Sequence, residues 1–404
     1  MSGWLIPRAE LTPEQLRAVE LSPNENRVIL GGPGSGKTQI LLHRAHFLAN
    51  QFRLAAERFR VFVYTNLLKQ YIESAFPLLD LPAENILTFD DWCLHWHKAN
   101  IRGRVPWDSE EKHPDFTAVR RAVAERLMAK GEKLFDFVLV DEGQDLEPDV
   151  FKLLRAISHH VTVCLDHKQQ IYDGRSSEAM ILEALGLRKR NINLLDGYRC
   201  NPYLVRLAAE LIDDASEREN FINQPRVVPR QKETPLLYCA EDDEQMRRLA
   251  EVIRDRQLAG DRIAILFPTQ RKLYGFGKTL RERGIELEIQ RELDFRTLKP
   301  KLITYYSAKG LTFDTVLMPM LVSDLAWKKM ERRATKLLFV GITRATRWVY
   351  LSSSNGDQLP ALRRLLSLAE RGDLAVQRDG KDNQKSSITR LTKPPESGPD
   401  LGFL

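Results

Sequence analysis

Short apolar runs alternate with longer stretches of helical periodicity along most of the 404-residue chain. This alternation is typical of parallel sheets whose strands are connected by helices. Helices are predicted in the gaps, for example over residues 37–50, 116–128 and 242–257. The predicted strands cover residues 28–30, 61–64, 86–88, 137–140, 161–165, 236–239, 263–267, 287–289, 302–305, 315–319 and 348–351.

These strands fall into two successive α/β sets, and a chain of this length can bury more than one core. The break between the sets is predicted at residues 191–196, after a basic run at 188–190. We therefore predict an N-terminal domain over residues 1–193 and a C-terminal domain over residues 194–375. Residues 376–404 are polar, have little apolar periodicity and are predicted to be a flexible tail.

Composition narrows the class of protein only a little. Hydrophobic residues make up 43% and charged residues 29%, and the net charge of +6 weakly favours a polyanionic partner. No uncharged apolar run reaches the length of a membrane span, and residues 1–7 lack the layout of a signal peptide. The four cysteines stand far apart, without a Cys-x-x-Cys pair. We expect reduced thiols, a cytoplasmic location and no membrane contact.

The most specific motif is G-x-x-x-x-G-K-T at residues 31–38, which follows a predicted strand and precedes a predicted helix. In this setting glycines allow backbone N–H groups to surround phosphate oxygens. Lys37 is expected to reach the outer phosphates, and Thr38 to ligate Mg²⁺. An ordinary glycine turn is the alternative, which the spacing disfavours. The other predicted phosphate-loop contacts are Gly32, Gly34, Ser35 and Gly36.

A second nucleotide signal is the acidic sequence Asp141-Glu142 after the apolar run 137–140. Parallel α/β sheets place ligands at the carboxyl ends of their strands. Asp141 is suited to hold Mg²⁺, and Glu142 to polarise the water that attacks the γ-phosphate. A solvated acidic turn is the alternative for this pair, but the upstream phosphate loop favours the catalytic interpretation.

Phosphoryl transfer also requires positive charge near the γ-phosphate oxygens. Arg199 and Arg344 lie in suitable sequence contexts in the second half of the chain. Either one, taken alone, is more typical of an ordinary surface arginine.

These motifs, in this order, resemble those of the UvrD/Rep/PcrA-type superfamily 1A helicases from about residue 11 to about residue 351. The similar segments include the Q motif at 11–19, D-E-G-Q-D at 141–145, Y-R at 198–199 and V-G-I-T-R-A at 340–345. The resemblance implies two tandem RecA-like P-loop NTPase domains with parallel sheets. It also implies an ATP site in the cleft between the domains, with ATP and Mg²⁺ as cofactors.

The resemblance further assigns roles at matching positions. Gln15 would read the adenine edge, Gln169 would sense the γ-phosphate, and Arg344 would act as the arginine finger. Tyr198 would stack on the base while Arg199 touches the γ-phosphate, and Gly310 would lie against the nucleotide. The implied nucleic-acid contacts are Tyr64, Thr65, Asn66, Thr88, Phe89, Tyr172, Arg175, Thr304 and Tyr306.

Three departures weaken particular contacts of the family. Tyr306 stands where the family has histidine, Thr312 replaces the glutamate that holds the ribose, and Gly174 replaces a base-stacking aromatic. Stacking is typically worth roughly 1–3 kcal/mol per base. Other aromatic residues offer compensation, although each is equally compatible with a place in the core. These residues are Tyr64, Phe89, Trp92 and Tyr172.

The segments between the motifs are shorter than in family helicases, which suggests a two-domain motor without the large 1B and 2B insertions. The resemblance implies an ATP-dependent single-stranded DNA translocase or helicase that moves 3′ to 5′. One alternative is a nucleic-acid-responsive ATPase switch that regulates a partner, such as a nuclease in DNA repair or phage defence. A motor directed to RNA is a further alternative.

Overall fold

A computed structural model describes the positions of most of the chain. In this described part, no helix is both long enough and apolar enough to cross a membrane. The described residues are 5–32, 34–74, 79, 81–110, 112–166, 176–189, 192–194, 201–223, 232–290 and 292–379.

The first lobe, residues 5–194, is built on a parallel sheet with the strand order β3-β2-β6-β7-β1-β8. Its central strands are almost continuously buried, as expected for a sheet covered by helices on both faces. The strands are β1 Arg27–Gly31, β2 Phe59–Val63, β3 Ile86–Thr88, β6 Phe135–Val140, β7 Ser158–Leu165 and β8 Ile192–Leu194.

Helices connect these strands, and a small antiparallel hairpin interrupts one connection. The hairpin consists of β4 Trp107–Asp108 and β5 His113–Pro114. The helices of the first lobe are α1 Pro13–Val19, α2 Lys37–Phe52, α3 Asn66–Glu73, α4 Phe89–Asn100, α5 Phe116–Lys130, α6 Pro148–Ile157 and α7 Glu178–Leu185.

The second lobe, residues 201–379, contains another parallel sheet, with the order β11-β12-β10-β13-β14-β9-β15. Its strands are β9 Leu236–Cys239, β10 Ile263–Phe267, β11 Glu288–Ile289, β12 Lys301–Thr304, β13 Phe313–Met318, β14 Ala345–Ser353 and β15 Ala375–Arg378. Its helices are α8 Pro202–Ala209, α9 Ala215–Asn223, α10 Asp242–Leu258, α11 Gln270–Glu282, α12 Leu325–Lys328, α13 Glu331–Ile342 and α14 Ser367–Glu370.

The structure confirms the predicted fold class, because each strand predicted from the sequence lies in one of the two parallel sheets. Two edge strands differ from the predictions. β8 lies within the segment predicted as the domain break and pairs with β1. β15 includes Val376, so the prediction of a tail beginning at residue 376 is wrong at its start. The strand combines the apolar Ala375 and Val376 with the polar Gln377 and Arg378, and this edge strand is only partly buried.

An apolar cluster joins the two lobes. It contains Leu67 and Leu68 of α3 together with Ala308 and Leu311 from the second lobe. Gly310 lies directly against Leu68, since a Cβ at Gly310 would be 2.8 Å from Leu68 Cδ2. The turn after β12 therefore packs against α3, the helix that follows the carboxyl end of β2.

Candidate nucleotide site

The glycine loop between β1 and α2 has the backbone geometry of a phosphate cradle. Gly34 and Gly36 have φ angles of 75° and 84°, which favour glycine because side chains are strained there. Gly36 is the cap of α2, and Lys37 is its first residue. The N–H groups at the start of this 16-residue helix favour an anion at the loop.

Ser35 supplies a test of whether phosphate fits the loop. It is fully buried, and within the described part of the chain its Oγ has no hydrogen-bond partner. A Cβ on Gly31 would lie 2.2 Å from this oxygen, so the loop closes tightly around the hydroxyl. Leaving a buried hydroxyl unsatisfied is costly. A phosphate oxygen would accept its hydrogen bond, and the loop therefore fits the group.

Lys37 is buried and held inside the loop. Its Nζ donates to the carbonyl oxygens of Gly31 and Gly32, at 2.9 and 3.0 Å. The same nitrogen lies 3.4 Å from Asp166 Oδ2, at the end of β7. These partners aim the ammonium across the mouth of the loop, where outer phosphates of a nucleotide would lie.

Thr38 and Asp141 meet at the centre of the site. The Thr38 hydroxyl donates to Asp141 Oδ2 at 2.7 Å, although the two residues are 103 positions apart. Asp141 Oδ1 accepts the Glu142 N–H at 3.0 Å. Burial, reinforced by the charge of Glu142, raises the pKa of Asp141 to about 6. A bound cation would stabilise the charged carboxylate in place of solvent.

This pair fits Mg²⁺ better than a metal held entirely by protein. A hydroxyl and a carboxylate are hard oxygen ligands, and Mg²⁺ usually keeps waters and substrate phosphates as its other ligands. In the described residues no three His, Cys, Asp or Glu side chains form a metal-binding group. The donor set at Thr38 and Asp141 therefore suits a cation whose other ligands are waters or phosphate oxygens.

Glu142 is fixed by its backbone and by Gln144. It has a φ angle of 52°, a left-handed conformation that is uncommon for a residue with a side chain. Gln144 Nε2 donates to Glu142 Oε2 at 2.5 Å, while Gln144 Oε1 accepts the Asp166 N–H at 2.9 Å. Burial opposes the charge of Glu142, but Lys309, Lys37 and Arg344 outweigh it and lower its pKa.

Arg344 comes from the second lobe and lies near this carboxylate cluster. Burial lowers the pKa of its guanidinium, while the charges of Glu142, Asp166 and Asp141 act in the opposite direction. Its hydrogen bonds go to its own lobe, to the carbonyls of Val340 and Leu311 at 3.3 and 3.2 Å. The side chain is therefore close to the site and engaged with neutral partners.

Gln15 is tied to the phosphate loop. Its N–H bonds to Thr12 Oγ1, and its Oε1 accepts the Thr12 N–H, which together cap α1. Its Nε2 donates to the Ser35 carbonyl at 3.1 Å and crowds Gly36, where a Cβ would be 2.6 Å away. Gln15 thus ties the start of α1 to the loop, and its predicted role at an adenine edge stays a prediction.

Several predicted site residues lie outside the described residues. These are Gln169, Tyr172, Arg175, Tyr198 and Arg199, together with Gly174. Their assigned roles stay predictions.

The predicted strand contacts after β2 lie at the same sheet edge as the nucleotide site. Tyr64 is partly exposed, and Asn66 is exposed at the start of α3. Thr65 caps α3 by accepting the Leu68 N–H at 3.0 Å. Lys309 Nζ, from the second lobe, lies 6.0 Å from the centroid of the Tyr64 ring. This surface therefore contains residues of both lobes.

The predicted contacts after β3 require a correction. Phe89 is 3% exposed and packs edge-on against Phe62, with ring centroids 5.4 Å apart. Trp92 joins the same cluster and is 6% exposed. The Thr88 hydroxyl is used to cap α4, by accepting the Asp91 N–H at 3.1 Å. Phe89 and Trp92 are core residues, so neither offers a face to a base in this arrangement.

The predicted contacts after β12 are also largely enclosed. Thr304 is buried, and its Oγ1 donates to Ser307 Oγ at 2.9 Å and caps the following turn. Tyr306 is half-buried and packs beside the shared apolar cluster. Gly310 has a φ angle of 79° and contacts Leu68 of the first lobe. Gly310 therefore serves the junction between lobes.

Sequence reasoning missed two pairs that connect the lobes. Lys309 Nζ lies 2.5 Å from Asp145 Oδ2, and both side chains are buried. Tyr71 of α3 donates to the Thr312 carbonyl at 3.5 Å and packs edge-on against Phe295. Contacts between residues so distant in sequence leave no local pattern from which they could be predicted. Asp145 and Lys309 do, however, both belong to motifs identified in the sequence.

The fold and the site define a P-loop NTPase with two RecA-like lobes, and comparisons with known proteins agree. A family model described as an AAA domain matches residues 15–175. A model described as a UvrD-like helicase C-terminal domain matches residues 301–352. These matches, with a relative described below, show that the chain is similar to UvrD-type helicases.

One relative is described as a probable DNA helicase, from Mycoplasma pneumoniae (strain ATCC 29342 / M129 / Subtype 1). It is 25% identical over 266 residues, which are 60% of this chain and 48% of that protein. The chain thus matches about half the length of this relative. Among solved structures, the C-terminal domain of a possible DNA helicase from Lactobacillus plantarum WCFS1 aligns with a TM-score of 0.35 and 17% identity. That alignment covers 44% of this chain and 98% of the other.

Proposed function

We propose that this chain is an ATP-driven motor that moves along single-stranded DNA, hydrolysing ATP to ADP and phosphate. The observation that carries the proposal is the 2.7 Å contact between Thr38 and Asp141 beneath the glycine loop. Arg344 of the opposite lobe is buried where its charge acts on Glu142, and it would add the positive charge that phosphoryl transfer requires. Both lobes therefore contribute to one catalytic cleft.

In this proposal the β- and γ-phosphates of ATP lie in the glycine loop. Ser35 Oγ and the N–H groups at the start of α2 donate to phosphate oxygens. Lys37 exchanges the carbonyls of Gly31 and Gly32 for the outer phosphates. Thr38 and Asp141 would hold Mg²⁺, which neutralises phosphate charge when bound.

Glu142 orients the attacking water and accepts its proton. Its lowered pKa keeps it an acceptor, and its bond from Gln144 fixes the carboxylate. Arg344 stabilises the negative charge that develops on the γ-phosphoryl oxygens. Gln169 and Arg199 are assigned to the same phosphate by resemblance.

Hydrolysis alters the fit between the lobes, and alternating grip on a strand converts that change into movement. The strand would lie across the Tyr64–Asn66 surface and the turn after β12. A 3′ to 5′ direction follows from the family resemblance. The short connection between β3 and β6 supports a compact motor without the 1B insertion. The buried free thiols Cys93, Cys164 and Cys239 fit a reducing cytoplasm, where we place this activity.

The proposal is tested by measuring ATP turnover with single-stranded DNA, duplex DNA and RNA, followed by strand displacement on duplexes with a 3′ or a 5′ tail. We expect single-stranded DNA to stimulate turnover most and the 3′-tailed duplex to be the better substrate. Stimulation by RNA alone would redirect the proposal to RNA. Turnover that ignores every nucleic acid would overturn it.

A second candidate is an ATPase switch that regulates a partner such as a nuclease. The burial of Phe89 and Trp92 favours it, because a strand then meets fewer aromatic platforms. This candidate predicts ATP turnover stimulated by DNA but no strand displacement by the chain alone. Displacement restored by a co-purified partner would support the switch, and displacement by the chain alone would exclude it.

A further inference from the structure

A buried ion pair crosses the cleft between the lobes. Lys309 Nζ lies 2.5 Å from Asp145 Oδ2, and the two side chains are 1% and 0% exposed. Lys309 belongs to the turn after β12, whereas Asp145 ends the D-E-G-Q-D box of the first lobe. A buried pair adds little net stability, but separating its members leaves uncompensated charge in the interior. Opening the lobes at this point therefore requires both groups to be rehydrated.

The backbone around Lys309 is held on both sides. Ala308 N–H bonds to the Thr304 carbonyl at 3.0 Å, and Leu311 N–H bonds to the Ala308 carbonyl at 3.1 Å. Gly310 packs against Leu68 of α3. Because this backbone is fixed within the second lobe, the distance from the Lys309 ammonium to the first lobe depends on how closely the two lobes approach each other.

The same ammonium contacts both functional regions. Its distance of 6.0 Å from the Tyr64 ring centroid is at the outer limit of a cation–π interaction. Its charge also acts on Glu142, more strongly than that of Lys37 or Arg344. One lysine thus lies between the surface assigned to the strand and the carboxylate assigned to ATP hydrolysis.

We propose that Lys309 is a positioning residue that couples strand binding at Tyr64 to closure of the ATP cleft. The inference rests on the proposed function. With the lobes together, the ammonium is held by Asp145 over the Tyr64 ring. A strand on Tyr64 brings phosphates that stabilise the cation in this place, so strand binding favours the closed arrangement. By linkage, closure around ATP must then strengthen strand binding by the same factor.

The test measures that factor as the ratio of dissociation constants for a labelled single-stranded oligonucleotide without and with a non-hydrolysable ATP analogue. For the wild-type chain we expect a ratio of about 5 or more, the usual lower range of coupling between sites. For Lys309→Met we expect a ratio near 1. Lys309→Arg keeps the charge and is expected to restore part of the ratio.

Lys301→Met is the matched control. Lys301 is also a buried, ion-paired lysine, on β12, but its partner Glu288 lies 2.6 Å away in the same lobe. We expect this variant to lose stability and keep the wild-type ratio. If Lys309→Met does not fold, the double variant Lys309→Met with Asp145→Asn removes both charges and is expected to give the same ratio near 1.

A wild-type ratio that persists in Lys309→Met, or in the double variant, would overturn the inference and leave the proposed function standing. Loss of the ratio in Lys301→Met as well would also overturn it, because general destabilisation would then explain both. A wild-type chain that binds no oligonucleotide would contradict the proposed function, and this inference with it.

Discussion

At the scale of single residues, the sequence predicts site residues best where they belong to short motifs. Lys37, Thr38, Asp141 and Glu142 lie together because glycine spacing and a strand-ending acidic pair determine local geometry. The part played by Gln144 could not be predicted in the same way. Its amide connects Glu142 to the Asp166 backbone, and that contact exists only after β6 and β7 pair.

Replacing Lys37 by Ala is expected to lower ATP turnover by about 100-fold or more, because the outer phosphates lose their buried cation. The measurement is the steady-state ATPase rate at saturating single-stranded DNA. Lys130→Ala, at an exposed lysine of the same lobe, is the control and should keep wild-type turnover. Unchanged turnover in Lys37→Ala would contradict the assignment of the phosphate loop.

Replacing Arg344 by Ala is expected to reduce hydrolysis by about 10³-fold or more while ATP binding stays within a few-fold of wild type. The reason is that an arginine finger acts on charge that develops in the transition state. Turnover and analogue binding should both be measured, with Arg332→Ala on the exposed face of α13 as the control. A collapse of nucleotide binding in Arg344→Ala would show that the residue serves binding or folding instead.

At the scale of elements, each predicted strand could be located because buried strands of parallel sheets are short apolar runs. Edge strands such as β8 and β15 mix apolar and polar residues, and their pairing depends on neighbours far away in the chain. The start of α4 illustrates another limit. The motif predicts that Thr88 and Phe89 lie at the end of a strand. It does not predict that Phe89 packs against Phe62 and therefore faces the core.

Phe89 is buried in the core whereas Tyr64 is partly exposed, so replacing each by Ala is expected to affect different quantities, stability for Phe89 and strand binding for Tyr64. Phe89→Ala should cost about 3–5 kcal/mol in the free energy of unfolding, because it leaves a cavity in the core. Tyr64→Ala should leave stability nearly unchanged and weaken strand binding by about 1–3 kcal/mol. Urea unfolding and oligonucleotide titration measure the two quantities. The reverse pattern would place Phe89, and not Tyr64, at the strand surface.

The contact between Arg44 of α2 and His160 of β7 predicts that the free energy of unfolding depends on pH. Arg44 is fully buried, and its guanidinium approaches His160 Nε2 at 3.1 Å. Burial, together with the charge of Arg44, lowers the pKa of His160 from 6.5 to about 3. Between these values the unfolded chain binds the extra proton, so stability falls as the pH drops below about 6.5.

The contribution of His160 corresponds to a loss of about 2 kcal/mol in unfolding free energy between pH 7.5 and pH 5. Denaturant unfolding at the two pH values measures it. His160→Gln cannot take up this proton, and its stability should change less over the same interval by about that amount. An identical pH dependence in both proteins would mean that His160 binds its proton equally well in the folded and the unfolded chain, so that folding does not lower its pKa.

At the scale of the whole molecule, the sequence allowed two lobes to be predicted but not the contacts that join them. The pair Lys309–Asp145 links positions 164 residues apart, and the packing of Gly310 on Leu68 depends on how the lobes meet. Such contacts leave no periodic signal in either segment. They nevertheless determine which parts of the strand surface and the ATP cleft act on one another.

The proposed motor depends on coupling between ATP hydrolysis at the lobes and a bound single strand. The most direct measurement is the ATPase rate of the wild-type chain, with Mg²⁺, as a function of single-stranded DNA concentration. We expect a saturable increase of about tenfold or more, which corresponds to lowering the activation barrier by at least about 1.4 kcal/mol. A rate that stays constant from zero to saturating DNA would contradict it.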